Sequence, residues 1–233
     1  MRKILTVLTF LHIFMMSSHA QTMFIPLAVD HSFFRGGDDQ IYMEIYLSFY
    51  QNYLQYSETD SGFTAGYFAI TEISQNDSVL YQDYERKTSN IDSLAQISNH
   101  RKFLSIFTFL LDEGDYSATI KLKDLDSGRE GEYYFDFKAP KFSSETLSIG
   151  SIQLCSTIRP DTSKGEFQKN SYLTIPNPDN LYSISQPVLY YYTEIYNLSY
   201  SPEKTGQYSL NCSITDLEGN EIKNGIDLEF GGL

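Results

Sequence analysis

Tryptophan is absent from this chain of 233 residues, and cysteine and histidine are nearly so, with two and four copies. Two of the histidines, His12 and His19, fall within the first twenty residues. His31 and His100 remain, far apart and without a His-x-x-x-His spacing, so a zinc site would need ligands from distant positions and turn or surface histidines are the simpler reading. There is no Gly-x-Ser-x-Gly elbow to present a nucleophile and no glycine-rich phosphate loop. Paired carboxylates for glycoside cleavage are a spatial property that sequence does not display. The expectation is a chain with no catalytic residues and no cofactor. Basic residues are also scarce: Arg2 and Lys3 are two of the 17 Lys and Arg, which leaves 15 against 30 acidic residues in the rest of the chain. Such a charge repels phosphate backbones, which argues against nucleic acid as a partner.

Long apolar runs are missing except at the start. There a short basic segment, Arg2-Lys3, precedes the apolar stretch Ile4 to Met16, and Ser18-His19-Ala20 closes it with small residues at both recognition positions. That order is the one of a secretory signal peptide over residues 1–20. No second stretch of about eighteen apolar residues follows, so no transmembrane segment is expected in the mature chain. The location implied is exported: periplasmic, outer-membrane-associated or extracellular.

What is present in quantity is strand grammar. Ile41 to Phe49, Ala65 to Ile73, Phe103 to Leu110, Tyr116 to Leu122 and Tyr133 to Phe137 are rich in β-branched and aromatic residues. Turn formers separate them, among them Arg35-Gly36-Gly37-Asp38-Asp39, Asp60-Ser61-Gly62, Gln75-Asn76-Asp77 and Asp126-Ser127-Gly128. Glu85 to His100 lacks alternation and reads as a short helix capped by Ser89 or Asn90, or as a crossing between sheets. Lys138 to Ser144 reads as a linker. Beyond it, strands are expected at Leu147 to Ile158, Tyr172 to Ile175, Val188 to Tyr196 and Tyr208 to Thr215, with a loop over Asn177 to Gln186. The fold class is all-β: two tandem immunoglobulin-like β-sandwich domains, over residues 21–140 and 141–233.

Two echoes run through the chain. Tyr42-Met43-Glu44-Ile45-Tyr46 recurs as Tyr192-Thr193-Glu194-Ile195-Tyr196, and Gly114-Asp115-Tyr116-Ser117 resembles Gly206-Gln207-Tyr208-Ser209. The two offsets are incompatible. The first suggests duplication, and the second is common grammar at strand entry. On the first alignment, the strands matching Phe103 to Phe137 have no counterpart before Leu233, so the second sandwich reads as incomplete, with an open edge to be covered.

With these motifs in view, the chain resembles the N-terminal part of the bacterial, Bacteroidetes-type exported proteins that carry a GWxTD domain. The likeness rests on the leader, on Phe34-Arg35-Gly36-Gly37 running into Tyr42 to Tyr46, on Gly114-Asp115-Tyr116 and on Tyr192 to Leu198. Without Trp, the chain lacks the motif that names the family. The resemblance implies tandem β-sandwiches at the cell envelope and carries over no reaction.

Four features are candidates for chemistry or binding. Asp124 and Asp126 alternate before Gly128, as at the start of a calcium loop, but the later bidentate Glu is missing and a hairpin turn facing water is favoured. Cys155 and Cys212 are an even pair in an oxidising compartment, which makes a disulfide one reading and two small buried residues the other. Tyr190, Tyr191 and Tyr192 are the densest part of a 19-tyrosine complement, and exposed phenols suit protein or glycan surfaces. Asn76-Asp77-Ser78, Asn197-Leu198-Ser199 and Asn211-Cys212-Ser213 match the glycosylation acceptor pattern. The function expected is a non-catalytic interaction or structural module of the cell envelope whose partner is a protein or its own missing C-terminal region. The alternatives are a carbohydrate-binding accessory module and the N-terminal fragment of a larger envelope protein or enzyme.

Overall fold

The computed structural model describes residues 24–37, 40–184, 186–198, 207–223 and 228–231. The leader read over residues 1–20 lies outside them, as do Asp38, Asp39 and Ser199. Among the described residues every regular element is a strand except two three-residue 3-10 turns, Gln51–Tyr53 and Leu94–Gln96. The chain is all-β and its sheets are antiparallel throughout.

The first eight strands are β1 (Ala28–Arg35), β2 (Ile41–Tyr50), β3 (Ser57–Thr59), β4 (Gly62–Gln75), β5 (Ser78–Ile91), β6 (Lys102–Leu111), β7 (Gly114–Asp124) and β8 (Glu130–Ala139). They form a three-stranded sheet, β1-β2-β6, facing a five-stranded one in which β4 pairs with β3, β5 and β7, and β7 pairs with β8. Alternation sets the packing. Ile41, Met43, Ile45, Leu47 and Phe49 of β2 point inward, opposite Tyr116, Ala118, Ile120 and Leu122 of β7. The Ile, Leu, Met and Phe side chains among them contribute about 1.5–3 kcal/mol each when fully buried. β2 is unusual in burying its other face as well: Glu44, Tyr46 and Ser48 are also shielded.

Five expected strands lie inside β2, β4, β6, β7 and β8. Glu85 to Ile91 is not a helix but the end of β5, paired with β4 as far as Phe63 and Ile91. The chain then crosses to β6 through the turn over Leu94–Gln96, whose cap is Ser93, with Oγ accepting from the Ala95 N–H at 3.3 Å. The β4–β5 hairpin turns on Asn76 and Asp77 with φ of 50° and 62°, the paired left-handed residues of a type I′ turn.

After Pro140 come β9 (Ser148–Ile149), β10 (Gln153–Pro160), β11 (Gln168–Lys169), β12 (Tyr172–Pro176), β13 (Tyr190–Tyr192), β14 (Ile195–Tyr196), β15 (Gln207–Leu210), β16 (Ile214–Thr215), β17 (Glu221–Lys223) and β18 (Leu228–Gly231). Four of them make a sheet in the order β11-β12-β10-β13, and the other six make the pairs β9–β14, β15–β18 and β16–β17. The two edges of the four-stranded sheet meet, because Asn170 beside β11 donates to the Tyr192 hydroxyl of β13 at 2.6 Å.

The expected strands Leu147 to Ile158 and Val188 to Tyr196 are each broken in two, and tertiary bonds account for the first break. The Ser151 N–H donates to the Phe33 carbonyl at 2.8 Å, the Phe33 N–H donates to Ser151 Oγ at 2.9 Å, and the Gly150 N–H donates to the Glu194 carbonyl at 2.8 Å. Gly150 packs against Phe34, where a Cβ would lie 3.2 Å from the ring. The segment is thereby drawn onto β1. The echo at Tyr42 and Tyr192 consequently falls on unlike elements, an unbroken β2 and the broken β13–β14.

Candidate functional site

Asp124 and Asp126 are structural. Asp124 is fully buried, and its carboxylate accepts from the Gln55 N–H at 2.9 Å, the Asp126 N–H at 3.1 Å and the Ser127 hydroxyl, with the Arg129 guanidinium 3.5 Å away. Asp126 accepts from Ser57 Oγ at 2.8 Å and the Gly66 N–H at 3.3 Å. The alternating pair therefore ties the β7–β8 hairpin to the chain around β3 and β4. Its oxygens accept from protein donors, as a hairpin turn would have them, but Asp124 is buried and does not face water. Among the described residues no cluster of three His, Cys, Asp or Glu could hold a metal.

The two cysteines are free thiols. Cys155, fully buried in β10, is pushed up to about 12 by that burial. Its Sγ faces the Gln153 carbonyl at 3.6 Å, whereas Cys212 Sγ accepts from the Tyr191 hydroxyl at 3.0 Å. Their sulfurs thus have separate partners, and the disulfide reading gives way to its alternative for Cys155. His31 lies in the seam between β1 and β8, stacked on Phe135 at 4.8 Å and edge-on to Phe33 at 5.2 Å. Burial lowers its pKa against the opposing pull of Asp30. His100 is exposed in the crossing before β6.

The tyrosine run divides. Tyr190 and Tyr191 are exposed by a little over a third, but Tyr192 turns inward. Its hydroxyl donates to Glu194 Oε1 at 2.6 Å and its ring lies 5.9 Å from that of Phe34. Two exposed rings remain of the expected three.

Tyr192 belongs instead to a buried polar seam where the later strands cover the outer face of β1 and β2. Lys169 is its centre. The ammonium donates to Glu44 Oε2 at 2.5 Å and to Gln153 Oε1 at 2.7 Å. It also faces the rings of Phe34, Tyr192 and Tyr46 at 4.1, 5.0 and 5.9 Å. The Tyr46 hydroxyl donates to Glu44 Oε2 at 2.6 Å. Burial lowers the Lys169 pKa while Glu44 raises it. Burial, with Glu44 close by, holds the Tyr46 phenol far above its ordinary range. At the far end, Tyr196 donates to Glu194 Oε2 at 2.7 Å and accepts from the Arg35 N–H at 2.9 Å, while the Arg35 guanidinium lies 4.6 Å over its ring. Sequence reasoning missed Lys169, Glu44 and Gln153 as a group. The available signal was Glu44, a charge in a strand whose neighbours on both faces are apolar or aromatic.

No known family model matches this chain, and no curated protein matches it.

The other notable surface is the outer edge of β6, which pairs with β2 alone among the described residues. In β6 the Ile106 N–H donates outward to Glu166 Oε1 at 3.3 Å, and the Leu104 carbonyl accepts from Lys87 Nζ at 3.4 Å. An antiparallel strand alternates between residues bonded to its neighbour and residues facing away. The β2–β6 register is unbroken, so Thr108 and Leu110 face away too. Their side chains are exposed and border a groove of about 630 Å³ with Leu80, Tyr81, Gln82 and Tyr42. The first half of β5, Ser78 to Tyr84, is exposed along its length. No helix among the described residues is long and apolar enough to cross a membrane.

Proposed function

We propose that this chain is a non-catalytic, immunoglobulin-like interaction module of the cell envelope that takes up an extended protein segment along the outer edge of β6. The observation that carries this is the pair of outward-facing backbone groups at Thr108 and Leu110 beside a groove with an apolar lip, Leu80 and Tyr81. Backbone bonds to that edge would supply affinity, and the groove would select alternate side chains. The envelope location rests on the leader and on the resemblance to GWxTD-domain proteins.

Proline discriminates well here. At position 108 the N–H faces away from β2, so Thr108→Pro removes a docking donor without removing a ladder bond, and proline is tolerated at such edge positions. A photocrosslinking residue at Leu110 is expected to capture one defined protein in the native host, a control at Glu132 on the opposite sheet to capture none, and Thr108→Pro to abolish the capture. Equal labelling from both positions, or capture insensitive to the proline, would remove this edge as the docking site.

A further inference from the structure

Gln153 is fully buried, and its Nε2 has no hydrogen-bond partner. The Lys169 ammonium lies 2.7 Å from the oxygen of that amide and 2.5 Å from Glu44, and the two charged side chains are nearly sealed from solvent, with 13% and 7% exposure for Lys169 and Glu44. Two features are costly as they stand: an orphaned amide NH2 and a desolvated ion pair, which adds little net stability. One reaction between the groups removes both.

We propose that Lys169 and Gln153 become joined by an intramolecular isopeptide bond, formed with loss of ammonia and with Glu44 as the catalytic proton shuttle. The ammonium first passes a proton to the Glu44 carboxylate at the 2.5 Å contact. The neutral Nζ then attacks Cδ of Gln153, and its lone pair becomes the new N–C bond as the carbonyl electrons move to oxygen. Glu44 carries a second proton from Nζ to Nε2. The carbonyl reforms, the Cδ–Nε2 bond breaks, and its electron pair leaves with the nitrogen as ammonia. Of the five protons on the two nitrogens, one stays on the new amide, three leave with ammonia and one remains on Glu44 as a carboxylic acid. No oxidant or co-reactant is needed, and the site passes from an ion pair to a neutral one.

The surroundings favour the attack. The rings of Phe34, Tyr192 and Tyr46 enclose Nζ and keep water from competing for the amide. Burial already draws the Lys169 pKa down, toward the amine that must attack. The reacting groups come from β10 and β11, and the shuttle from β2, so the bond forms only after the later strands have docked on the first sheet. The proposal is independent of the β6 edge.

Peptide mapping of the purified, folded chain by mass spectrometry is the test. The expected result is a branched peptide joining the segment with Gln153 to that with Lys169, lighter than the two together by one ammonia. Intact mass alone does not decide, because an N-terminal Gln21 exposed by leader removal also loses ammonia on cyclising. In Lys169→Arg, which keeps the charge next to Glu44 but has no amine to acylate, the expected result is a cooperative fold with no branch. In Glu44→Gln the branch is expected to be lost or to form more than tenfold more slowly. Linear peptides with free Lys169 and free Gln153 from a cooperatively folded wild-type chain would overturn the bond. An undiminished branch in Glu44→Gln would overturn the shuttle.

Discussion

A carboxylate with four donors around it is a structural part, and Asp124 shows how such a residue behaves. Its removal leaves the Gln55 and Asp126 N–H groups and the Arg129 guanidinium without their acceptor in a part-buried place. Asp124→Ala is expected to cost about 2–4 kcal/mol of unfolding free energy, the range for leaving a buried charge and its donors unpaired. Denaturant midpoints measure it, and a chelator is expected to leave the wild-type midpoint unchanged. A calcium-dependent shift would restore the loop reading. His31 gives a second handle. Its folded pKa lies below the ordinary 6.5 because of burial, so the unfolded chain binds more protons as pH falls through 6.5. Stability from this group is therefore complete above 6.5 and is lost below it. Asp30, next to it, is raised by burial, so its effect has the opposite sign and falls in a window just above 3.8. His31→Phe is expected to gain stability relative to wild type as pH drops below 6.5, and a difference independent of pH across that range would count against a lowered His31 pKa.

At the scale of elements, strands facing the core were legible because alternation is written into them: β2 and β7 place apolar residues at every second position of that face, and β6 does so except at Ser105. β5 was hidden for a physical reason. Ser78 to Tyr84 is exposed on both faces, so no side-chain period marks it, and it is a strand only because β4 pairs with it along its length. In the second region four strand stretches were legible, but not β11, β17 and β18 and not the breaks, since Gly150 and Ser151 are bent by bonds to Phe33 and Glu194 that are remote in sequence. The same remoteness hid the Lys169 seam, whose members come from β2, β10 and β11. Chain-local motifs such as Asp124-Leu125-Asp126 and Tyr190-Tyr191-Tyr192 were visible, but burial reassigned part of each. For β5 the pairing itself makes a prediction. With β4 on one side alone, every second amide of Ser78 to Tyr84 faces away from β4, so hydrogen exchange read residue by residue is expected to alternate between protected and fast. Uniform protection would mean that a further strand covers this edge.

Across the whole molecule, the apolar core is unevenly distributed. Past Ala139, the buried apolar side chains among those described are few, Cys155, Pro176, Pro178 and Tyr196, while Leu147, Ile149, Ile152, Leu181, Val188 and Ile195 are exposed. The later region is held mainly from outside itself: Lys169 by Glu44 of β2, Ser151 by Phe33 and Tyr196 by Arg35 of β1, and Asp179 by Lys102 of β6. The first sandwich carries its own core between two sheets and needs none of these contacts to close it. Residues 24–140 prepared alone are therefore expected to unfold in one cooperative transition. Residues 141–233 alone are expected to lack one, because separation removes the sheet on which they pack and leaves Lys169 without its counter-ion. Circular dichroism through a urea titration of each piece measures this, and mixing the pieces is expected to restore structure to the second. A sharp, cooperative transition in the isolated later piece would show that its exposed aliphatic residues find a core of their own, and the docked arrangement would then be one of two ways in which it can be stable.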